Sequence, residues 1–558
     1  MTIVGINFFF EHTSVSVIKN GRLVFSTEEE RYNGIKGGKR YSPYTFQIPY
    51  NSLYAALDFL GLTTKDVDVI ALSYNRWEHL KGLCSTRWSY FDDFYSMRNL
   101  FFFRRILCSD YESLIYTSDR IFKEDLKRIP ILHFDHHLSH AASAYCFSGF
   151  ERSLVFVADC CGEKSCTSLY LGTNEGLIKV RSFDIPNSLG MLYTIITKHL
   201  GFDSFKDEYK VMGLASYGRD TYRETFKRFV TYDQFGNYTI DRKRLFNLES
   251  ILGPARQKGE EITQQHKDIA KTLQSIIEEI VINILKYYRE KLNVKCLCMA
   301  GGVALNCVMN GKIYDSKIFE KMFVQPVSSD AGTSMGAAAL AYYKYSGNMQ
   351  ILWDNMYLGR EYSNEYIKNI LSAAKLNFVY YSDCELAKVL ALKLSSGQIG
   401  GLFRGRMEAG PRALGNRSII ANPIPQDTLK RINGLKGREM FRPIAPIVKE
   451  DSFDSYFEGK KNRYMLYTCR VKREVQELIP AITHVDLTSR VQTVAIESNP
   501  FLYMLLDEFQ KISKMPILVN TSLNFRGKPI IESPADAIGS FFSSGLDFMV
   551  IGNFLLEK

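Results

Sequence analysis

Thr13-Ser14-Val15-Ser16-Val17-Ile18-Lys19-Asn20-Gly21-Arg22-Leu23-Val24 reads as a strand, a tight turn and a second strand, and its pattern returns later in the chain. Asn20-Gly21 is a two-residue hairpin signal, because both positions tolerate a positive φ. Further on, Thr167-Ser168-Leu169-Tyr170-Leu171 reaches Asn174-Glu175-Gly176 and resumes as Leu177-Ile178-Lys179. An acidic residue lies shortly upstream of each copy. Two such units predict a duplicated fold with a cleft between its halves.

Working outward, residues 2–10 and 153–159 read as strands that lead into the two hairpins. Helical periodicity covers 189–200 and 263–291, and 294–299 reads as a buried strand. That strand runs into Ala300-Gly301-Gly302-Val303-Ala304-Leu305-Asn306, a strand-to-helix turn. Its backbone N–H groups and positive helix end suit phosphate oxygens, so Gly301, Gly302 and Asn306 are candidate nucleotide contacts. Asp330 stands at the start of a helix that runs to Tyr345. Such a duplicated plan is that of the actin-like (ASKHA) class of sugar kinases, actin and heat-shock chaperones. After a crossing at about 346–362 a second α/β pattern begins, with helices at 386–396, 500–512 and 535–544 and strands at 399–403, 516–520 and 548–551. The expected architecture is therefore α/β throughout, with an actin-like domain over 1–354 and a smaller domain over 355–558.

Composition narrows the class. A chain of 558 residues is too long for one core. A 46% hydrophobic and 23% charged content is that of a soluble globular protein rather than a disordered one. No apolar run reaches the eighteen residues of a membrane span, and the start reads as a strand rather than a signal peptide. The eleven cysteines lack zinc-type and disulfide-type spacing, so buried free thiols in a cytoplasmic protein are expected, with no membrane partner. A net charge of +10 favours anionic ligands.

The sharpest local cluster is His133-Phe134-Asp135-His136-His137-Leu138-Ser139-His140, which holds four of the nine histidines. Small residues follow it, so a helix is expected from His136 with Asp135 as its N-cap. His136 and His140 then share one face at i, i+4, the spacing by which two imidazoles hold one divalent ion, while His137 points elsewhere. Oxygen ligands would complete a site for iron, manganese or zinc, and Asp159 and Asp330 at element ends are the candidates.

In the second domain basic residues crowd predicted loops: Arg404, Arg406, Arg412 and Arg417, then Lys436, Arg438 and Arg442, then Arg490, Arg526 and Lys528. Phe, Gly, Pro and Leu are interleaved with them, which favours a walled anion pocket over a solvated strip. Asn520-Thr521-Ser522-Leu523-Asn524 follows a buried strand, at whose carboxyl end ligands of α/β sheets bind. The aromatic stretch Tyr90–Phe103 is a candidate lining for an acceptor pocket.

Several of these stretches, in order along nearly the whole chain, make it resemble the NodU/CmcH-type O-carbamoyltransferases. They run from GINFFF at Gly5 through EEER (Glu28–Arg31), HHLSHAASA, YKVMGLASYG (Tyr209–Gly218), GGVALN and SDAG. They continue as GRMEAGPRALGNRSI, FRPIAP, RVQTV and NTSLNFRGKPI to GLDFMVIGNFLL. The resemblance implies a domain similar to the tRNA threonylcarbamoyl transferases followed by a YrdC-like one. It implies that the second domain turns carbamoyl phosphate and ATP, with its Mg2+, into carbamoyl-adenylate, and that the first transfers the carbamoyl group to a hydroxyl of a small-molecule natural product. By the same resemblance His136, His140, Asp159 and Asp330 hold a metal, iron first. Lys436, Arg412, Arg442 and Ser522 engage carbamoyl phosphate and the adenylate, and Asn520, Arg490 and Arg526 belong to the same loops.

Two departures stand out. Where the family has His-Asp before its first hairpin, this chain has Glu11-His12, either of which can move a proton. The usual Asp-Gly-x-Gly-Glu is here Asp159-Cys160-Cys161-Gly162-Glu163. Two other readings stand beside this one: a tRNA-modifying enzyme, although nucleic acid is not the expected partner, and a carbohydrate kinase. A homodimer is the assembly left open.

Overall fold

The computed structural model describes residues 1–38, 48–78, 81, 129–525 and 527–558. Tyr90–Phe103 and Arg526 lie outside the described residues. Strands β1 (Thr2–Asn7), β2 (Ser14–Lys19), β3 (Arg22–Glu28), β4 (Val69–Leu72) and β5 (Ile131–His133) form one sheet in the order β3-β2-β1-β4-β5. The first three make an antiparallel meander, and β4 and β5 add in parallel. A second sheet contains β6 (Arg152–Ala158), β7 (Ser165–Thr173) and β8 (Gly176–Asp184). After a small hairpin of β9 (Val230–Tyr232) and β10 (Tyr238–Ile240), it is completed by β11 (Cys296–Ala300) and β12 (Lys321–Val324). Its order is β12-β11-β6-β7-β8, the same meander with the same two parallel additions. The repeat visible at the two turns is thus a repeat of whole sheets. Asn20 and Gly21 have φ of 50° and 78°, as a two-residue hairpin with right-handed strand twist requires.

One expected strand is shorter than its composition indicates. Residues 2–10 were expected to run as a single strand, but β1 stops at Asn7. The Asn7 side-chain amide donates to the carbonyls of Glu11 (2.8 Å) and His12 (3.1 Å), folding the chain back on itself. His12 has φ 51° at the bend. Phe9 leaves the sheet to stack on Tyr74, their ring centroids 4.0 Å apart. The run of three phenylalanines has strand propensity, but packing overrides it.

Helix α1 (Tyr50–Leu60) covers the first sheet. Between the sheets lie α2 (His136–Tyr145) and, after α3 (Leu189–His199), α4 (Glu208–Leu214), the long α5 (Gln264–Leu292) and α6 (Cys307–Asp315), the helix α7 (Thr333–Ser346). The contact between α2 and α7 is built from alanine and glycine, including Ala141, Ala144, Ala337 and Ala338. At Gly336 an added Cβ would lie 1.7 Å from the Ser139 carbonyl oxygen, and at Gly5 one would lie 1.9 Å from that of Ser334. Gly336→Ala is therefore expected to force α2 from α7 and to destabilise by about 3 kcal/mol. Thermal denaturation would show this as a lowered Tm.

The second half is an eight-stranded mixed sheet flanked by helices on both faces. Its strands are β13 (Val379–Tyr380), β14 (Gly400–Phe403), β15 (Arg417–Ala421) and β16 (Ala445–Lys449). A side sheet of β17 (Phe457–Glu458), β18 (Cys469–Val471) and β19 (Thr488–Ser489) interrupts them. They resume as β20 (Gln492–Val494), β21 (Ile517–Ser522), β22 (Phe548–Ile551) and β23 (Phe554–Glu557), in the order β13-β23-β22-β14-β15-β21-β16-β20. Helices α8 (Asn364–Ala373), α9 (Asp383–Ser395), α10 (Thr428–Leu435), α11 (Pro500–Ser513) and α12 (Pro534–Phe542) complete this lobe. Leu390 of α9 and Leu505 of α11 share a core with Leu402 and Leu518. On the opposite face Ile367 of α8, Ile432 of α10 and Phe541 of α12 meet Ile419 and Val519.

Residues 347–363 cross between the lobes and bond to both. Leu23 N donates to Leu352 O (2.9 Å), Ser26 N to Leu358 O (3.2 Å) and Gly359 N to Met407 O (2.9 Å). Met356, Leu358, Ala409, Leu414 and Met465 enter the same core cluster as α2 and α7. The lobes thus share buried apolar surface. Among the described residues no helix is long and apolar enough to cross a membrane. The described cysteines are free thiols, and all but the exposed Cys384 are buried or half-buried.

Candidate active site

Helix α2 delivers His136 and His140 side by side, their rings 4.6 Å apart between centroids and nearly perpendicular. Asp159 follows the end of β6, and Asp330 opens the turn into α7. The Nε2 of His136 lies 3.4 Å from Asp159 Oδ2 and 3.5 Å from Asp330 Oδ1, and that of His140 lies 3.4 Å from each. One ligand atom from each of the four residues falls within 4.8 Å of the others, and all four residues are buried. The Gly302 N–H donates to Asp159 Oδ1 (3.2 Å), which turns Oδ2 toward the histidines. A buried arrangement of two imidazoles and two carboxylates is a donor set for a divalent transition metal. His140 Nε2 is buried without a hydrogen-bond partner among the described residues, so the residues present fit an ion at this point.

The electrostatics agree. Burial opposes a charge on His136, but Asp330 and Asp159 outweigh it and push its pKa up to about 10. The site therefore holds positive charge strongly. His137, expected to point elsewhere, bonds Ser168 Oγ through Nδ1 (2.8 Å), and burial pushes its pKa well down. Asp135 was expected to cap α2 with its side chain, and it does not. Its carboxylate instead accepts from Asn75 Nδ2 (2.9 Å). The cap comes from Glu163, whose two oxygens each lie 3.0 Å from His136 N. The partner from across the second hairpin is already in place, which frees Asp135 for Asn75.

Glu11 and His12 sit beside this centre. Phe10 lies against the His136 ring, with centroids 4.0 Å apart. Burial, together with the nearby charges of Asp330 and Asp159, pushes Glu11 up to about 7 despite His12. Burial disfavours charge on His12, but Glu11, Glu30 and Asp330 raise its pKa overall. Both side chains of the pair are thus shifted by the acidic residues of the four-residue cluster.

A second centre lies in the carboxy-terminal lobe at its border with the first. Lys436, at the end of α10, donates from Nζ to Ser522 O, Ser522 Oγ (3.2 Å), Asn524 O (3.0 Å) and Asn524 Oδ1 (2.8 Å). Burial and then Arg438 and Arg442 push its pKa well below the usual lysine range. Burial and Arg490 push Arg412 down to about 9, and burial and Arg442 do the same to Arg438. Nε of Arg412, Nε of Arg490 and Nη2 of Arg438 are buried without hydrogen-bond partners among the described residues. Clustered cations that depress one another and leave donors unsatisfied make a pocket for a polyanion. Asn520 donates to Ala413 O (2.9 Å) and Gln492 Oε1 (2.7 Å), and its Oδ1 is likewise unpartnered.

Residues of the first lobe close this pocket. Arg442 lies over the Tyr209 ring at 4.7 Å, and Lys210 pairs with Glu439 at 2.9 Å. Lys36 feels Glu30 and Asp207 as well as Arg442. Glu30 also raises the pKa of His12. Arg438 was among the basic loop residues expected to wall an anion pocket, but the roles of Tyr209 and Lys210 at this border were not singled out from the sequence. The YKVMGLASYG stretch was the available signal, but it does not say which lobe it faces.

Not every expected pocket residue is there. Arg404 lies over Phe501 at 3.6 Å and pairs with Asp383. Arg406 donates to the carbonyls of Gly359 (3.0 Å), Leu358 and Val24. Arg417 is fully buried and donates to the carbonyls of Arg404, Gly405 and Asn416. These three hold loops together, because a guanidinium fork can satisfy several carbonyls at once. Gly301 has φ 89°, and an added Cβ would meet the Ala158 carbonyl oxygen at 2.2 Å. Together with the Gly302 bond to Asp159, this makes the double-glycine turn a support for the Asp159 carboxylate. Asn306 caps α6 and exchanges two bonds with Gln274, which leaves its amide committed within the fold.

Comparison with known proteins bears on both centres. The family description "Carbamoyltransferase N-terminus" matches residues 2–339, and "Carbamoyltransferase C-terminus" matches 391–558. The chain is 34% identical over 571 residues to the nodulation protein NolNO of Sinorhizobium fredii, covering 99% of this chain and 80% of that one. It is 38% identical over 440 residues to the nodulation protein NolO of Bradyrhizobium diazoefficiens, covering 76% and 79%. An uncharacterised protein of Synechocystis is 32% identical over 609 residues, covering 100% and 96%. A crystal structure of full-length HypF in its phosphate- and nucleotide-bound form overlaps 62% of this chain and 56% of that one. Its TM-score of 0.37 and 11% identity are too remote to bear on chemistry. With both halves of the family matched in one polypeptide and relatives above 30% identity over most of its length, the chain belongs to the carbamoyltransferase family.

Proposed function

We propose that this carbamoyltransferase is an ATP-dependent O-carbamoyltransferase that works through carbamoyl-adenylate. The observation that carries the reading is the pairing, in one chain, of a four-ligand cation site with an unsatisfied basic pocket at the lobe boundary. The duplicated sheets support an actin-like first lobe, and the mixed sheet with its arginine pocket supports a YrdC-like second lobe.

In the second lobe Arg412, Arg438, Arg442 and Arg490 would neutralise carbamoyl phosphate and ATP, whose mutual repulsion otherwise keeps them apart. Hydrolysis of carbamoyl phosphate, in which a water oxygen bonds to the carbonyl carbon as the C–O bond to phosphate breaks, releases phosphate and leaves carbamate. A carbamate oxygen then attacks the α-phosphorus of ATP, and pyrophosphate departs with its bonding electron pair, as in in-line phosphoryl chemistry generally. Bound phosphate anions would offset the depression of the Lys436 pKa by burial, Arg438 and Arg442, so that Lys436 would place a positive charge on the departing oxygens. Mg2+ enters with ATP as part of the substrate.

In the first lobe His136, His140, Asp159 and Asp330 would hold a divalent metal, which when bound supplies Lewis acidity toward the transferred carbonyl. The acceptor hydroxyl of a small-molecule natural product attacks that carbonyl carbon, and AMP leaves. Glu11 would take the hydroxyl proton, since the acidic neighbours of His12 favour its charged form over the burial that opposes it. A bound cation offsets the repulsion from Asp159 and Asp330, so Glu11 ionises below pH 7 in the loaded enzyme. Activity should fall as pH drops through that value. Glu11→Gln is expected to cut transfer by about 100-fold and to remove the acidic limb of the pH–rate profile.

The test is pyrophosphate release with ATP, with and without carbamoyl phosphate, followed by mass spectrometry of hydroxyl acceptors for the gain of one carbamoyl group. ATP consumption that ignores carbamoyl phosphate and yields ADP rather than pyrophosphate would favour a kinase, and salt-sensitive binding of tRNA would favour RNA modification.

A further inference from the structure

We propose that Glu28 and Arg31, in the first lobe, are positioning residues for Arg412 in the second, so that the adenylating pocket is completed by the lobe that carries the metal centre. Gly410 N donates to Glu28 Oε1 (2.7 Å), and Arg31 Nη2 donates to Gly410 O (2.7 Å). Arg31 Nε also donates to Glu28 Oε2 (3.3 Å), so one buried ion pair grips both backbone polar groups of a single residue, Gly410, in the other lobe. Burial alone would push Arg31 down, but Glu28, Glu30 and Glu408 hold it charged.

The gripped residue sits where position matters. Gly410 has φ 95°, and an added Cβ would come within 3.2 Å of Val327 Cγ2 and 3.3 Å of Pro326 O. The loop therefore rests on the segment that leads to the metal ligand Asp330. On the other side of Arg412, Ala413 O accepts from Asn520 (2.9 Å) and Leu414 O from Gln492 (2.8 Å). Glu408 Oε1 closes the loop by accepting from Leu414 N, Asn416 N and Arg417 N. Arg412 is thus fixed on one side by its own lobe and on the other by Glu28 and Arg31. Its Nε is buried without a hydrogen-bond partner among the described residues. A buried ion pair adds little stability over apolar packing but does fix geometry, and catalytic groups misplaced by about 1 Å lose up to about 100-fold in rate. Stability of the lobe contact is already served by the shared core of Met356, Leu358 and Ala409.

This inference rests on Arg412 engaging carbamoyl phosphate, and the experiment separates the two claims. Arg31→Lys keeps the charge but cannot reach both Glu28 and Gly410 O. Measured on the full chain, it should lower kcat/KM for carbamoyl-phosphate-dependent pyrophosphate release by about 10- to 100-fold. Most of this should appear in KM for carbamoyl phosphate, with bound metal and Tm little changed. Combined with Arg412→Ala, it should add almost nothing, because both changes remove the same contact. Losses that multiply in the double variant would overturn the proposal, as would an unaltered KM. If Arg412→Ala alone left release intact, the reading of the pocket would fail instead. Should Arg31→Lys not fold, Glu28→Gln enters the same cycle, since its amide cannot accept from Arg31 and Gly410 together.

Discussion

His140→Ala is expected to cost carbamoyl transfer about a thousandfold, the scale of removing a metal that stabilises charge in the transition state. Pyrophosphate release in the second lobe should stay within about twofold of the parent. His140 is fully buried, both of its ring nitrogens lack partners among the described residues, and its Nε2 is 3.4 Å from both Asp159 and Asp330. Alanine is a good helix former, so α2 should persist. Metal analysis should show the purified variant substoichiometric, and Asp159→Asn should behave alike because it removes the anionic oxygen facing both histidines. Simultaneous loss of both half-reactions would instead mark the four residues as a structural core. Transfer that survives without bound metal would remove the metal from the reaction.

Lys436→Met should act on the opposite half. Methionine fills a similar volume but leaves the oxygens of Ser522 and Asn524 without the ammonium they surround. Carbamoyl-phosphate-dependent pyrophosphate release is expected to fall about 100- to 1000-fold, the range for losing one preorganised charge donor in an active site. Metal content should be unchanged. Arg404→Ala supplies the contrast. It lies on Phe501 and pairs with Asp383 outside the pocket, so release should change by less than about twofold while some stability is lost. Equal losses for the two variants would mean that the basic loops act as one electrostatic field rather than through placed groups.

These expectations separate residues that look alike in the sequence. Arg404, Arg406, Arg412 and Arg417 are spaced through a single glycine-rich stretch, and nothing in their local pattern distinguishes a ligand-binding guanidinium from one that ties carbonyls together. The difference is set by what each fork meets. Arg412 and Arg417 both leave Nε buried without a hydrogen-bond partner among the described residues, but Arg417 Nη1 finds three carbonyls within its own loop, whereas Arg412 faces the like charge of Arg490. Asp135 and Glu163 show the same limit. An aspartate ahead of a helix is the local choice for a cap, but the actual cap arrives from a hairpin twenty-seven positions on.

Local rules were enough wherever the deciding forces act over a few residues. Asn20-Gly21 sets a hairpin through its own backbone, and the 3.6-residue helical period puts His136 and His140 on one face. The pattern of Thr13–Val24 and its later echo determined that the first lobe is built twice. Tertiary structure alone decided how the two sheets enclose α2 and α7, because that depends on glycine contacts between segments far apart in the chain. It also decided that the two lobes meet where Glu28 and Arg31 hold Gly410. Side-chain type and spacing encode what a residue can bind, but the partner that claims it is chosen by packing across the whole molecule.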